Sequence, residues 1–160
     1  MPDDRLAILE QRRIEAAVIK PIYEEMKNRF GETAAQEVLR DAITKSAVEA
    51  GKEFAAEADG KTDLKAFQGI IKHWLKGDAL EKEDLKQTDE EFEFNVTRCR
   101  YSEMYRDMGI GDIGHLLSCH RDATFCQGFD PRITFERTQT LMEGASHCDF
   151  RYGFDAKKED

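Results

Sequence analysis

The side chains able to do chemistry are concentrated toward the C-terminal half of the chain. Cys99, Cys119, Cys126 and Cys148 all fall between Gln87 and Ala156, with His115, His120 and His147, and of the histidines only His73 lies outside. The same span has no lysine but holds Arg98, Arg100, Arg106, Arg121, Arg132, Arg137 and Arg151. Thiols act as soft metal ligands or as nucleophiles. A guanidinium presents a rigid fork of donors matched to carboxylates, whereas lysine is the common solubilising charge of exposed helices. Residues 1–80 therefore read as a helical scaffold and residues 91–155 as a strand-rich half that bears the site.

The bulk properties narrow what that site serves. At 160 residues the chain has the size of a single domain. With 36% charged and 40% hydrophobic residues and three prolines, it reads as folded and helix-rich. A net charge of -9 disfavours nucleic acid as a partner, because such binding draws on clustered Lys and Arg. The start, Met1-Pro2-Asp3-Asp4, is acidic and has no secretory pattern, and no segment approaches ~18 continuous apolar residues. A cytoplasmic protein with no membrane partner is expected, its cysteines present as thiols or metal ligands. The apolar helix faces permit a homo-oligomer.

The elements that must position these residues follow from periodicity. Leu6, Leu9, Arg13, Ala16 and Ala17 have helical spacing, and Pro21 is expected to end or kink that helix, giving two helical pieces before Gly31. Thr33 and Gln36 have the spacing of a capping box opening a helix to about Ala58. Another helix fits Asp63 to Lys76, ended by Gly77. The acidic stretch from Glu81 to Glu91 reads as a solvated linker. From Phe92 the period becomes two, with Phe92, Phe94 and Val96 on one face and Cys99 continuing the other. Short helices fit Tyr101 to Met108 and Asp112 to Leu117, followed by a loop carrying Cys119 to Asp122. Arg132 to Met142 and His147 to Phe154 complete an antiparallel pair. The fold class expected is α+β: N-terminal helices, then an antiparallel sheet with a short helical insertion.

Three blocks carry a family resemblance. They are Phe94-Asn-Val-Thr-Arg-Cys-Arg-Tyr101 with Glu103-Met-Tyr-Arg106; Gly114-His-Leu-Leu-Ser-Cys-His-Arg-Asp122 with Gly128-Phe129; and Arg137 through Tyr152, which contains Glu143-Gly-Ala-Ser-His-Cys-Asp149. In order and spacing they resemble the L-2-amino-thiazoline-4-carboxylic acid hydrolases. They cover about the last 60 residues, the helical half matching only in general pattern. His120 stands where asparagine is common in that pattern, and Cys126 where an apolar residue is common. The resemblance implies hydrolysis of a cyclic amidine, L-2-amino-thiazoline-4-carboxylate, to N-carbamoyl-L-cysteine. The order of cysteines and strands also resembles 4-vinyl reductase-type domains, which implies a fold that holds a ligand or metal.

Opening such a ring requires water to add to the carbon between nitrogen and sulfur, followed by expulsion of the thiolate. Water must be activated, the ring nitrogen or leaving sulfur protonated, the intermediate stabilised and the substrate carboxylate held. For water activation, Cys99, Cys119 and Cys148 are the candidate ligands of a divalent metal such as zinc with an open fourth position. Each cysteine is alternatively a small buried hydrophobe, and Cys119 or Cys148 is alternatively a nucleophile needing no metal. His147 adjoins Cys148, but neighbours on a strand point to opposite faces. Asp122 shares a helical face with Cys119 and reads as a general base or orienting group, or else as a helix cap. Glu143, before Gly144, is the candidate general acid/base, or else a charge at a hairpin end.

Arg137 is the candidate for the substrate carboxylate, with Arg98 and Arg151 as alternatives and cross-strand ion pairing as the other role open to each. Thr138 and His147 complete the substrate-binding set. Nothing indicates a nucleotide or organic cofactor, and the partner expected is a small molecule. The competing reading is a metal- or small-ligand-binding domain without hydrolase activity, of the 4-vinyl reductase type; fold likeness alone does not separate the two.

Overall fold

A computed structural model describes residues 5–158 of the chain. Met1 to Asp4, which carry the acidic start noted above, lie outside the described residues. Three helices come first: α1 (Ile8–Phe30), α2 (Glu32–Glu57) and α3 (Leu64–Leu75). Strands β1 (Leu80–Gln87) and β2 (Glu91–Cys99) follow, then α4 (Arg100–Asp107), a π-helical turn at His115–Cys119, and α5 (Arg121–Phe129). Strand β3 (Ile133–Glu136), a 3-10 turn at Leu141–Glu143 and β4 (Cys148–Phe154) complete the order. The strands form one antiparallel sheet in the order β1-β2-β4-β3, so the α+β class expected from the sequence is the one observed. Among the described residues no helix is long and apolar enough to cross a membrane.

The core has two parts. Leu9, Ala16, Tyr23, Leu39, Ile43, Met104, Tyr105 and Leu116 pack among the helices. Phe67, Phe94, Phe125, Phe129, Phe150 and Tyr152 pack between the sheet and helices α3 and α5. Burial of each large side chain contributes roughly 2 to 3 kcal/mol, and Phe94 stacks on Phe150 with ring centroids 4.7 Å apart. Leu80 and Cys99 touch both clusters.

Several expectations change. Pro21 lies inside one continuous α1. Burial of Ala16 before it and Tyr23 after it holds both halves in line, and the Tyr23 hydroxyl accepts from Gln36 and donates to Asp112. The capping box does not form: α2 starts at Glu32, two residues before the first helical position of the box, and Gln36 turns to Glu32 and Tyr23. The stretch Glu81 to Glu91 is not a linker, because most of it is edge strand β1 and the turn into β2. Its side chains are mostly exposed on both faces, so no hydrophobic alternation marks it. The turn is held by Thr88, whose Oγ1 accepts from the Glu91 amide at 2.9 Å.

The third strand is shorter than expected, ending at Glu136. Beyond it the Asp149 carboxylate takes the amides of Thr138 and Gln139 at 2.9 and 3.0 Å, in place of a strand partner. The segment from Cys119 to Asp122 is not a loop; it runs from the π-turn directly into α5. The wide turn is closed by the His120 amide donating to the His115 carbonyl at 2.8 Å.

Helices α2 and α5 cross at two glycines. A Cβ on Gly51 would lie 2.2 Å from the Phe125 carbonyl oxygen, and one on Gly128 1.9 Å from that of Val48. Such contacts with backbone cannot be relieved by a rotamer change, so Gly128→Ala should destabilise by on the order of 3 kcal/mol. Gly69 of α3 has open space at its Cβ position, and Gly69→Ala should stabilise by up to ~1 kcal/mol. Urea unfolding of the two variants checks both signs; a harmless Gly128→Ala would contradict the close crossing.

Candidate functional site

Between the two core clusters lies a cavity of about 90 Å³. At ~10 to 15 Å³ per water it holds a handful of waters or a small ring. Its walls come from both halves of the chain. Ile8, Ala47, Ala50, Ile71, Trp74 and Leu75 come from the helices, and Phe94, Val96, Cys148 and Phe150 from the sheet. The first half is thus part of the site as well as its scaffold.

Helical spacing accounts for the polar wall on the other side. Ser118, Cys119, Arg121, Asp122 and Phe125 all line the cavity, as positions one, three, four and seven apart on one helical face do. A β-bulge accounts for Cys99. The register runs Glu81↔Arg98 and then Lys82↔Val96, so Thr97 is unpaired and the alternation shifts phase. Cys99, expected on the face opposite Val96, therefore reaches the same cavity as Val96 and Phe94. Cys148 lies opposite Val96 on β4.

Asp122 is the sole carboxylate among the lining side chains. Its Oδ2 accepts from Arg137 Nη1 at 2.5 Å, and Arg137 Nη2 donates to the Cys119 carbonyl at 3.1 Å. The Arg137 guanidinium also lies 5.0 and 5.1 Å from the rings of Phe135 and Phe150. Burial pushes the Asp122 carboxyl up from its ordinary 3.8, with Arg137 pulling in the opposite direction. Burial also opposes the charge on Arg137, but Asp122, Cys119 and Tyr152 together outweigh it and the guanidinium is held more firmly protonated.

The thiols are all driven toward the neutral form. Burial raises Cys99 and Cys119, and raises Cys148 to about 11 although its sulfur accepts from the Leu141 amide at 3.2 Å. Cys99 caps α4, its sulfur accepting from the Ser102 amide at 3.4 Å. Among the described residues no three His, Cys, Asp or Glu side chains stand close enough to hold a metal ion. Cys99, Cys119 and Cys148 thus share a cavity without standing in the geometry of a ligand set.

Of the residues singled out in the sequence, the structure brings Cys99, Cys119, Cys148, Asp122 and Arg137 together. Glu143, Thr138 and His147 are not among the lining residues. Glu143 is exposed on the 3-10 turn. The Thr138 hydroxyl donates to Asp149, and the His147 ring lies within hydrogen-bond reach of Gln139 and Ser146. Arg98 is half-exposed and paired with Glu103, and Arg151 bonds the Phe94 carbonyl and Asn95. Cys126 is buried on α5 and does not line the cavity. Arg121 and Arg12 also line the cavity with no role assigned from the sequence, and Arg12 lies outside the half expected to bear the site. Its signal is the spacing Leu9, Arg12, Ala16, which puts a charge on the buried stripe of α1, whereas Arg13 is exposed.

The fold and cavity define a class: an α+β domain that encloses a small cavity lined by thiols, a buried carboxylate and guanidiniums. The chain belongs to the L-2-amino-thiazoline-4-carboxylic acid hydrolase family, whose model matches residues 11–152 and so extends the resemblance through the helical half. No curated protein matches the chain. Among solved structures it is similar to the phenol-responsive sensory domain of the transcription activator PoxR, in a crystal structure with phenol. The TM-score is 0.55 at 14% identity, over 91% of this chain and 77% of that one, a likeness of fold alone.

Neutral thiols predict slow alkylation. In the folded protein Cys148 should react with iodoacetamide far more slowly at pH 7 than a free cysteine does, and about ten-fold faster per pH unit up to pH 9. Mass spectrometry of labelled peptides reads this. Rapid labelling of a cavity cysteine at pH 7 would mean that a thiolate is present.

Proposed function

We propose that the chain is a hydrolase that opens a small cyclic amidine in this cavity, with Asp122 as the general base. The observation that carries the reading is Asp122 itself, the sole carboxylate on the wall, oriented by Arg137 beside three neutral thiols. The family supplies the substrate class, L-2-amino-thiazoline-4-carboxylate opening to N-carbamoyl-L-cysteine.

One carboxyl suffices for both proton transfers. Asp122 takes a proton from water as the oxygen bonds to the amidine carbon, and passes it to the ring nitrogen. It then takes the remaining hydroxyl proton as the carbonyl forms and the carbon–sulfur bond breaks with its electron pair on sulfur. That second proton goes to the thiolate, and the carboxylate is restored. A raised pKa brings the acid form closer to use at neutral pH and makes this exchange easier. In this scheme Cys99, Cys119 and Cys148 form a polarisable wall, and Glu143, Thr138 and His147 act outside the reacting centre.

A second reading, ligand binding without turnover, is favoured by the largely apolar and aromatic wall and by the fold shared with a phenol-responsive sensory domain. Incubation with L-2-amino-thiazoline-4-carboxylate separates the two. The hydrolase reading expects N-carbamoyl-L-cysteine, with Asp122→Asn lowering kcat/KM by roughly 10²- to 10⁴-fold. The acid limb of kcat/KM should lie above pH 3.8, because the raised carboxyl must lose its proton before it acts as base. Cys148→Ser should retain most of the turnover. Full activity of Asp122→Asn would remove the carboxylate from the mechanism, and loss of activity in Cys148→Ser alone would make that thiol the nucleophile. Tight binding with no product would favour the sensor.

A further inference from the structure

Arg12 of α1 and Arg121 at the start of α5 both line the cavity, with side chains only 12% and 11% exposed. They share one counter-charge. Glu15 Oε1 lies 2.9 Å from Arg12 Nη1 and 3.6 Å from Arg121 Nη2. Arg121 is further tied by Nε to the Leu117 carbonyl at 2.8 Å and by Nη1 to Ser46 at 3.4 Å. Arg12 donates through Nη1 alone, so its Nε and Nη2 hold no hydrogen bond to another described residue.

The charge count around the cavity is uneven. Arg12, Arg121 and Arg137 face Asp122 and Glu15, leaving one surplus positive charge, while Lys82 is paired with Asp84. This occurs in a protein whose net charge is -9. Burial and the neighbouring Arg12 together lower the pKa of Arg121 to about 10, a sign of a cation short of counter-charge. A buried surplus charge is costly unless something neutralises it. Arg137 is already turned to Asp122 and the Cys119 carbonyl through both terminal nitrogens, whereas Arg12 keeps Nε and Nη2 open.

We propose that Arg12 and Arg121 form an anchor for the carboxylate of the cavity's ligand, a small monoanion whose ring is thereby presented to Asp122. One negative charge matches the surplus, and two planar oxygens match the open edge of a guanidinium. A phosphate dianion would overshoot the charge. The inference rests on the reading of this cavity as a small-molecule site and deepens it by naming what holds the substrate.

Calorimetric titration of the full chain compares L-2-amino-thiazoline-4-carboxylate with 2-aminothiazoline, which lacks the carboxylate. The wild-type protein should prefer the carboxylate by roughly 10- to 100-fold. Arg12→Gln and Arg121→Gln should each reduce that preference while binding 2-aminothiazoline as before, which also shows that the variant is folded. If either fails to fold, Arg12→Lys and Arg121→Lys, which keep the charge and lose the fork, should still reduce the preference. Equal binding of the two compounds by the wild type, binding of neither, or a preference untouched in every folded variant overturns the anchor. Turnover is not read, so a persistent carboxylate preference without hydrolysis would leave the anchor standing and sink the hydrolase.

Discussion

The ion pair between Arg137 and Asp122 ties the two structural layers together at the point where the cavity lies. It joins the chain leaving β3 to the first turn of α5, with both side chains largely buried at 12% and 18% exposure. Removing one partner of such a pair typically costs about 3 to 5 kcal/mol, because the other charge is left uncompensated. The same guanidinium reaches the Cys119 carbonyl, so it also holds the junction of the π-turn with α5. Under the proposed reaction strength and chemistry are coupled: the guanidinium that would orient Asp122 as a base also ties α5 to the chain leaving β3.

That coupling explains the shape of the site. A π-turn followed by a helix sets four polar side chains on one wall, and a bulge in β2 brings Cys99 onto the opposite one. The close α2 and α5 crossing at Gly51 and Gly128 brings the α2 residues Ala47 and Ala50 onto the wall as well. The resulting environment is of low polarity, so thiols stay neutral and every charge must be matched. Asp122, Glu15 and three arginines nearly balance, with one positive charge left over, the charge on which the proposed carboxylate anchor rests.

Much of this was legible in the linear chain. The helices from Glu32 and Leu64, strands β2 and β4, the α+β order and the family all follow from apolar spacing and from blocks of adjacent residues. The convergence of Cys99, Cys119 and Cys148 was anticipated from residue type, and Asp122 from its three-residue offset from Cys119. Strand β1 left no signal because an exposed edge needs no apolar face, and Pro21 gave a misleading one because packing on both sides of it outweighed its local penalty.

The sequence by itself determined which segments bury an apolar face, since periodicity records the contacts that neighbours along one element must make. Only the tertiary structure decided which charges meet: that Arg137 is engaged by Asp122, that Arg12 rather than Arg13 points inward, that Glu143 stays outside. These outcomes depend on a bulge, a wide helical turn and a crossing of two helices. Each shifts a side chain by a fraction of a turn or one strand residue, a displacement set by contacts between segments far apart in the chain.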